Sequence, residues 1–156
     1  FPIIIVPFRS FLALLNVPDQ RSCLESIKSH LAPDGILILD IFVPDLDTLT
    51  EVSATPAHAW DVTQSETGSR LIVWDQSTFD NHNQVIDARM IIDEVSQSGE
   101  VLGRVYQDFQ IRYIHRFEIH HLLEVCGLKI LAEYGEFDYS PLEPSSSEMV
   151  IMATHA

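Results

Sequence analysis

Two short apolar runs separated by one amphipathic segment constrain the fold of this chain more than any other feature. Residues 3–6 read Ile-Ile-Ile-Val, and residues 36–42 read Ile-Leu-Ile-Leu-Asp-Ile-Phe. Continuous runs of this kind are typical of strands buried on both faces of a parallel sheet. Between them, Pro18 begins a segment with apolar residues at helical spacing, and the turn residues 33–35 end it. The order strand, helix, strand predicts a right-handed βαβ unit.

The period of the pattern changes to two in the middle of the chain. Apolar and polar side chains alternate there, which is typical of half-exposed antiparallel strands, and turn-forming residues separate the segments. We therefore predict an insertion at residues 69–113 that contains a three-stranded antiparallel meander. Its predicted strands are residues 71–79, 85–95 and 101–113.

The segment before this insertion has a different composition. Residues 43–68 are rich in Pro, Asp, Thr, Ser and Ala and show no sustained period, so we predict a connecting loop with a helical turn around residues 46–49. Later in the chain, an amphipathic helix is predicted near residues 117–126, with Gly127 as its C′ residue. Two further strands follow it, and the whole pattern predicts one α/β domain over residues 1–156.

Charge and cysteine content exclude several classes of partner. The chain has 9 Lys and Arg against 23 Asp and Glu, and its net charge of −14 repels a phosphate backbone and an anionic membrane surface. No apolar run approaches the roughly 20 residues that cross a bilayer. Cys23 and Cys126 form neither a disulfide framework nor a C-x-x-C motif. We expect a cytoplasmic protein that binds neither nucleic acid nor membrane.

Motifs for phosphate, metal and serine chemistry are weak. None of the 6 glycines forms a G-x-G core, so the sequence contains neither a dinucleotide fingerprint nor a P-loop. Glu118 and His121 match one half of a carboxylate-bridged metal motif, but a single copy is more typical of a solvated helix face. Ser10 lacks the G-x-S-x-G surroundings of a nucleophile. The sequence predicts no metal site and leaves the catalytic residue unassigned.

Better candidates follow the two apolar strands, because open α/β sheets bind ligands outside the carboxyl ends of their strands. The first strand continues into Pro-Phe-Arg-Ser-Phe at residues 7–11, and the second ends in Asp-Ile-Phe at residues 40–42. Aromatic, hydroxyl, guanidinium and carboxylate groups together suit a pocket that stacks a flat ligand and orients a polar one. The alternative is that the phenylalanines simply belong to the core.

At these residues the chain resembles the C-terminal half of class I S-adenosylmethionine-dependent methyltransferases, especially small-molecule or uncharacterised members with an antiparallel insertion. The resemblance covers nearly the whole chain, and its most specific part is Leu-Ala-Pro-Asp-Gly-Ile-Leu-Ile-Leu-Asp at residues 31–40. This helix end, Pro-Asp-Gly turn and strand recur widely in that family. The other matching stretches are residues 3–11, 112–130 and 148–153.

The resemblance implies a partial Rossmann-like methyltransferase sheet made of the family's last four strands, in the order four, five, seven, six, with the final strand antiparallel. The family's glycine-rich loop and the acid that holds the cofactor ribose lie upstream of residue 1. In addition, Pro2 stands where an Asp usually follows the initial Phe, and the chain has no initiator Met. We therefore expect that an N-terminal portion is missing, as in a fragment, a proteolytic product or a truncated reading frame.

The resemblance also assigns roles to individual residues. It implies that the loop after the first strand forms the wall beside the methionine end of S-adenosylmethionine, with cofactor contacts from Pro7, Phe8, Ser10 and Phe11. The junction between the insertion and the last helix is expected to overhang the strand ends. Contacts to a small-molecule methyl acceptor are expected from Arg9, Asp40, Phe42, Tyr113 and Arg116.

Two functions remain open from the sequence. In the first, the full-length form is a methyltransferase, and this chain is its substrate-side portion, inactive alone and binding S-adenosylmethionine weakly or not at all. In the second, the chain is a non-catalytic binding or dimerisation module on a methyltransferase-like fold. In either case an apolar first strand without a neighbour on its outer edge predicts a homo-oligomer.

Overall fold

The structure, a computed structural model, describes residues 1–45, 49 and 55–156. The chain divides into two compact units. Unit 1 comprises Phe1–Leu49 and Arg112–Ala156, and unit 2 comprises Thr50–Ile111. Apart from Leu49, the helical turn predicted around residues 46–49 lies outside the described residues.

Unit 1 contains a four-stranded sheet made of β1 (Ile3–Val6), β2 (Ile36–Phe42), β7 (Leu128–Tyr134) and β8 (Glu148–His155). Its spatial order is β1-β2-β8-β7. The strands β1 and β2 are parallel, whereas β8 is antiparallel to both of its neighbours. The structure thus confirms the partial Rossmann-like sheet, its order of four, five, seven, six and its antiparallel final strand.

Two helices accompany this sheet, α1 (Val17–His30) and α2 (Arg116–Val125). Asn16 caps α1 by accepting a hydrogen bond of 2.9 Å from the backbone N–H of Asp19. After α2 the backbone turns at Gly127 with φ +71°, which is the left-handed conformation that a C′ glycine adopts. None of the helices in the described ranges is long and apolar enough to cross a membrane.

The core of unit 1 lies around its central strands. Side chains on one face of β2 and on β8 are completely buried: Leu37, Leu39, Ile41, Ile151 and Ala153 are 0% exposed. The edge strand β1 differs, because Ile3 and Ile5 remain 55% and 58% exposed. The prediction that β1 is buried on both faces is therefore wrong for this chain, in which one face of the strand is open.

Unit 2 is built around a four-stranded antiparallel sheet, in the order in which its strands occur along the chain. The strands are β3 (Ala57–Thr63), β4 (Arg70–Asp80), β5 (Val85–Val95) and β6 (Val101–Arg112). The three predicted strands are present as β4, β5 and β6. The predicted meander was one strand short, because β3 lies in the segment that was interpreted as a loop.

The sequence pattern did not reveal β3 because six of its seven residues are exposed and only Ala59 is half-buried. An exposed edge strand needs no apolar alternation, so period two is absent. Its pairing is also irregular, since the register with β4 shifts between His58 and Trp60. A cross-strand ring contact helps to hold it: the centroids of His58 and Trp74 lie 5.6 Å apart, edge to face.

Candidate functional site

The loop after β1 adopts a strained backbone conformation. Phe8 and Arg9 have φ values of 59° and 55°, in the left-handed region that costs a non-glycine residue about 1–3 kcal/mol. Two hydrogen bonds to the carbonyl of Pro7 tighten the turn, from the Ser10 N–H at 3.2 Å and from the Ser10 hydroxyl at 2.6 Å. The carboxylate of Asp40, at the end of β2, accepts the Arg9 N–H at 2.9 Å. Asp40 thereby fixes the loop against the adjacent strand.

The side chain of Arg9 is held at the same sheet edge. Its Nε donates to Glu148 Oε2 at 3.3 Å, and its Nη2 binds the other oxygen of that carboxylate. The guanidinium carbon lies 5.6 Å from the centroid of the Phe42 ring, which places the cation over the aromatic face. Phe42 and Glu148 are direct partners in the β2–β8 register. Arg9 therefore joins the ends of three strands through its backbone and side chain.

A cavity of about 400 Å³ opens at this edge. It is lined by Pro7, Phe8, Arg9, Asp40, Phe137 and Glu148. Its volume lies in the range of small-molecule sites, and its position outside the carboxyl ends of parallel strands is where open α/β sheets bind ligands. With two carboxylates and one guanidinium, its formal charge is negative. The cavity can therefore receive a polar or cationic small molecule against two exposed phenylalanines.

The structure brings most of the residues predicted for this region close together, but only some of them line the cavity. Pro7, Phe8, Arg9 and Asp40 line the cavity, and Phe42 supports Arg9 from its ring face. By contrast, Phe11 is 1% exposed and belongs to the core, as the alternative interpretation of the phenylalanines proposed. The hydroxyl of Ser10 is engaged within the loop itself.

The two residues predicted at the junction with the last helix lie in different surroundings. Tyr113 is 3% exposed, and its ring lies edge to face with His115 at a centroid distance of 5.6 Å. Arg116 binds Glu133 of β7 at 2.8 Å, and His120 contacts the second oxygen of Glu133 at 2.6 Å. Both residues thus stay predictions as acceptor contacts, and neither lines the cavity described above.

Arg116, His120 and Glu133 form a second polar cluster, and the pKa of Glu133 shows how strongly its members interact. Burial acts to raise the pKa of the carboxyl, but hydrogen bonds from Arg116 and His120 outweigh it, so the pKa lies below its ordinary value. The same ion pair raises the pKa of Arg116. Arg116 is therefore held in a structural pair between α2 and β7.

Sequence reasoning missed Glu148 and Phe137. Glu148 lies 139 residues away from Arg9 along the chain, so no local motif connects them. One signal was available, because an antiparallel final strand beside β2 must begin where β2 ends. Applied to the resemblance, that rule places the first residue of β8 next to Phe42. Phe137 follows β7 in a loop and carries no comparable signal.

No protein-family model matches the chain, and no curated protein sequence matches it either. Solved structures do match. The CcbJ methyltransferase from Streptomyces caelestis has a TM-score of 0.76 and 19% identity, over 99% of this chain and 61% of that protein. An S-adenosylmethionine-dependent methyltransferase from Clostridium acetobutylicum has a TM-score of 0.74 and 17% identity, over 100% of this chain and 58% of that protein.

The fold is that of S-adenosylmethionine-dependent methyltransferases. A further match is CalS10, an amino pentose methyltransferase from Micromonospora echinaspora in complex with S-adenosylmethionine, with a TM-score of 0.73 and 16% identity. The match covers 100% of this chain and 58% of CalS10. This chain thus spans 58–61% of the length of these three methyltransferases.

Proposed function

We propose that this chain forms the acceptor-side part of an S-adenosylmethionine-dependent methyltransferase whose acceptor is a small-molecule amine. The cavity at the carboxyl ends of β1 and β2 carries this proposal. Its negative formal charge favours a protonated amine over an anionic acceptor. The resemblance of the fold to CalS10, an amino pentose methyltransferase, supports the same class of acceptor.

Each lining residue has a role in this proposal. The carboxylates of Asp40 and Glu148 attract and orient the protonated amine, and Arg9 holds Glu148 in place. Because only the free amine has the lone pair that attacks the methyl group, the acceptor must first lose a proton, and the carboxylate of Asp40 would accept it. Phe8 and Phe137, which are 93% and 65% exposed, offer apolar surface that excludes water from a bound ligand. Orientation of this kind contributes much of the rate in a displacement that needs in-line geometry.

The residues present fit only one end of the cofactor. When bound, S-adenosylmethionine supplies an activated methyl group on a sulfonium cation. Pro7 and Phe8 would lie beside its methionine end, where an aromatic face and a nearby carboxylate favour a cation. The sequence offers no G-x-G core to hold the rest of the cofactor. In this proposal the 156-residue chain is therefore inactive alone, and the complete product of its gene is the enzyme.

Calorimetric titration with S-adenosylmethionine tests whether this chain lacks most of the cofactor site. We expect the complete gene product to bind the cofactor and the 156-residue chain to bind weakly or not at all. Micromolar affinity of the short chain would show that its cofactor site is complete and would refute the acceptor-side assignment. Absence of binding by a folded complete product would favour the non-catalytic module instead.

Methyl transfer from labelled cofactor tests the acceptor class. We expect the complete product to methylate amino sugars in preference to the same sugars with a hydroxyl in place of the amine. The variant Arg9→Ala should lower kcat/KM for the acceptor by about 10²-fold through lost positioning, with cofactor affinity unchanged. Arg21→Ala is the matched control, since Arg21 lies on α1 and its side chain is 50% exposed. Equal activity of both variants, or a preference for the hydroxyl sugars, would contradict the assignment.

A further inference from the structure

The phenylalanines around the cavity of unit 1 fall into two groups. Phe11 belongs to the core, and the ring of Phe42 lies under the guanidinium of Arg9. Phe8 and Phe137 differ, because both line the cavity and both are largely exposed. The folding of unit 1 therefore accounts for the first group and leaves the rings of the second group open to water.

The rings of Phe8 and Phe137 have no aromatic or cationic partner within the part of the chain that the structure describes. Single exposed apolar residues scattered over a surface are normal and need no explanation. Two of them that line the same concave site form an apolar surface of the kind that ligand pockets offer. The two rings thus indicate a contact surface for an apolar part of the ligand.

Backbone strain holds Phe8 at the cavity. The left-handed conformations of Phe8 and Arg9 are imposed by the hydrogen bond from the Arg9 N–H to Asp40 and by the bonds from Ser10 to the carbonyl of Pro7. Strain of this kind is concentrated where a protein positions groups for a ligand. The contacts that impose the strain therefore also fix the Phe8 ring beside the cavity.

A closed turn after β7 holds Phe137. The Gly135 N–H donates to the carbonyl of Ser140 at 2.8 Å, and the carboxylate of Asp138 accepts the N–H and the hydroxyl of Ser140 at 2.9 and 2.5 Å. A Cβ at Gly135 would lie 2.9 Å from the carbonyl oxygen of Pro141, so the turn packs closely against the segment that follows. Phe137 is thus positioned before a ligand arrives, which lowers the entropy cost of binding.

The same cavity combines the two rings with the carboxylates of Asp40 and Glu148. The carboxylates attract a protonated amine, whereas the phenyl rings favour another ring. Ring pairs in offset-stacked or edge-to-face geometry contribute more than the apolar area that they bury. A flat ring also loses less conformational freedom on binding than a flexible alkyl chain. The cavity therefore fits an amine that carries an aromatic ring better than an amine alone.

We propose that the methyl acceptor carries an aromatic ring close to its amine, and that Phe137 determines the preference for this ring. The proposed function is the premise of this inference, because the ligand of the cavity is taken to be the methyl acceptor. Phe137 is assigned to the ring because Phe8 also lies beside the methionine end of the cofactor in that proposal. All the lining residues belong to unit 1, so the ring site lies within the 156-residue chain.

Calorimetric titration of the 156-residue chain with three glycosides of one amino sugar tests the ring. The three differ only in the aglycone, which is phenyl, cyclohexyl or methyl. We expect the phenyl glycoside to bind at least about tenfold more tightly than the methyl glycoside and at least about threefold more tightly than the cyclohexyl glycoside. Equal affinities of the phenyl glycoside and either of the others would overturn the proposal, as would absence of binding by all three.

Variants of Phe137 test the residue. Phe137→Leu keeps an apolar side chain without a ring and should lower the preference for phenyl over methyl at least about threefold, whereas Phe137→Tyr should retain that preference. Phe117→Leu is the matched control, because Phe117 is 69% exposed on α2 and does not line the cavity. Its preference should equal that of the unmodified chain. An unchanged preference in Phe137→Leu would refute the assignment of Phe137.

A phenyl glycoside with a hydroxyl in place of the amine tests the premise separately. We expect it to bind more weakly than the amino phenyl glycoside, because it carries no charge for the carboxylates. Weaker binding of this analogue, combined with equal affinities of the three amino glycosides, would leave the amine acceptor intact and refute only the ring. Equal binding of the amino and hydroxyl phenyl glycosides would contradict the amine acceptor itself.

Discussion

The variant Leu39→Ala tests whether β2 forms the centre of the core in unit 1. Leu39 is 0% exposed, and its register partners are Val6 on one side and Ile151 on the other. The change removes three carbons, each worth about 0.8 kcal/mol in burial. The cavity left behind adds to this cost, because tightly packed neighbours relax only in part. We expect the free energy of unfolding of unit 1 to fall by about 3 kcal/mol.

Ile5→Ala is the matched control because it also removes three carbons from a strand of the same sheet. Ile5 is 58% exposed, so only the buried remainder of its side chain contributes. Scaling the burial free energy of three carbons by the buried fraction of the side chain gives an expected loss of about 1 kcal/mol. The ratio of the two losses therefore measures how open the outer face of β1 is in solution.

Urea unfolding followed by helical circular dichroism provides the measurement, since α1 and α2 both belong to unit 1. Tryptophan fluorescence follows unit 2, which holds both Trp60 and Trp74. With a typical urea slope of about 1–3 kcal/mol per molar, Leu39→Ala should lower the dichroism midpoint by about 1 M or more. Equal losses for Leu39→Ala and Ile5→Ala would refute the reasoning, because Ile5 would then be as buried as Leu39.

Three further predictions concern single groups. The hydrogen bond from Arg104 lowers the pKa of Asp93 below its ordinary value of 3.8. The ion pair therefore stabilises the folded chain above pH 3.8, and this stabilisation is lost as the pH falls through the lowered pKa. In the variant Asp93→Asn, the unfolding free energy should accordingly depend less on pH in the acid range. A Cβ at Gly35 would lie 2.8 Å from Leu31 Cγ, so Gly35→Ala should cost roughly 1–3 kcal/mol in urea unfolding, and an unchanged midpoint would contradict this contact. Burial raises the pKa of Cys126, so iodoacetamide should modify it only after denaturation, as peptide mass mapping would show.

The sheet of unit 1 could be predicted from sequence because its strands carry a strong local signal. All residues of β2 except Asp40 are apolar and three of its side chains are completely buried, so the run at residues 36–42 predicts a buried strand directly. The order of the four strands did not follow from any local pattern. It came from the resemblance around residues 31–40, and the antiparallel insertion of β8 confirmed it.

The rest of the site could not be predicted because it depends on long-range pairing and backbone strain. Glu148 reaches Arg9 only because β8 runs antiparallel to β2. The two residues are far apart in the sequence, so no local sequence pattern indicates their contact. The left-handed conformations of Phe8 and Arg9 were also hidden, since neither residue type favours positive φ. Such strain persists where surrounding contacts impose it, here the hydrogen bond to Asp40.

The position of β8 sets the order in which the chain can fold during its own synthesis. Its residues, Glu148–His155, fill the gap between β2 and β7, so the sheet of unit 1 cannot close until they leave the ribosome. Translation from Phe42 to His155 takes on the order of ten seconds at ordinary elongation rates. The strands of unit 2 emerge within that interval and can pair first. The inserted unit is therefore able to fold during translation, while the edge of β2 that pairs with β8 stays without its neighbour until synthesis reaches residue 155.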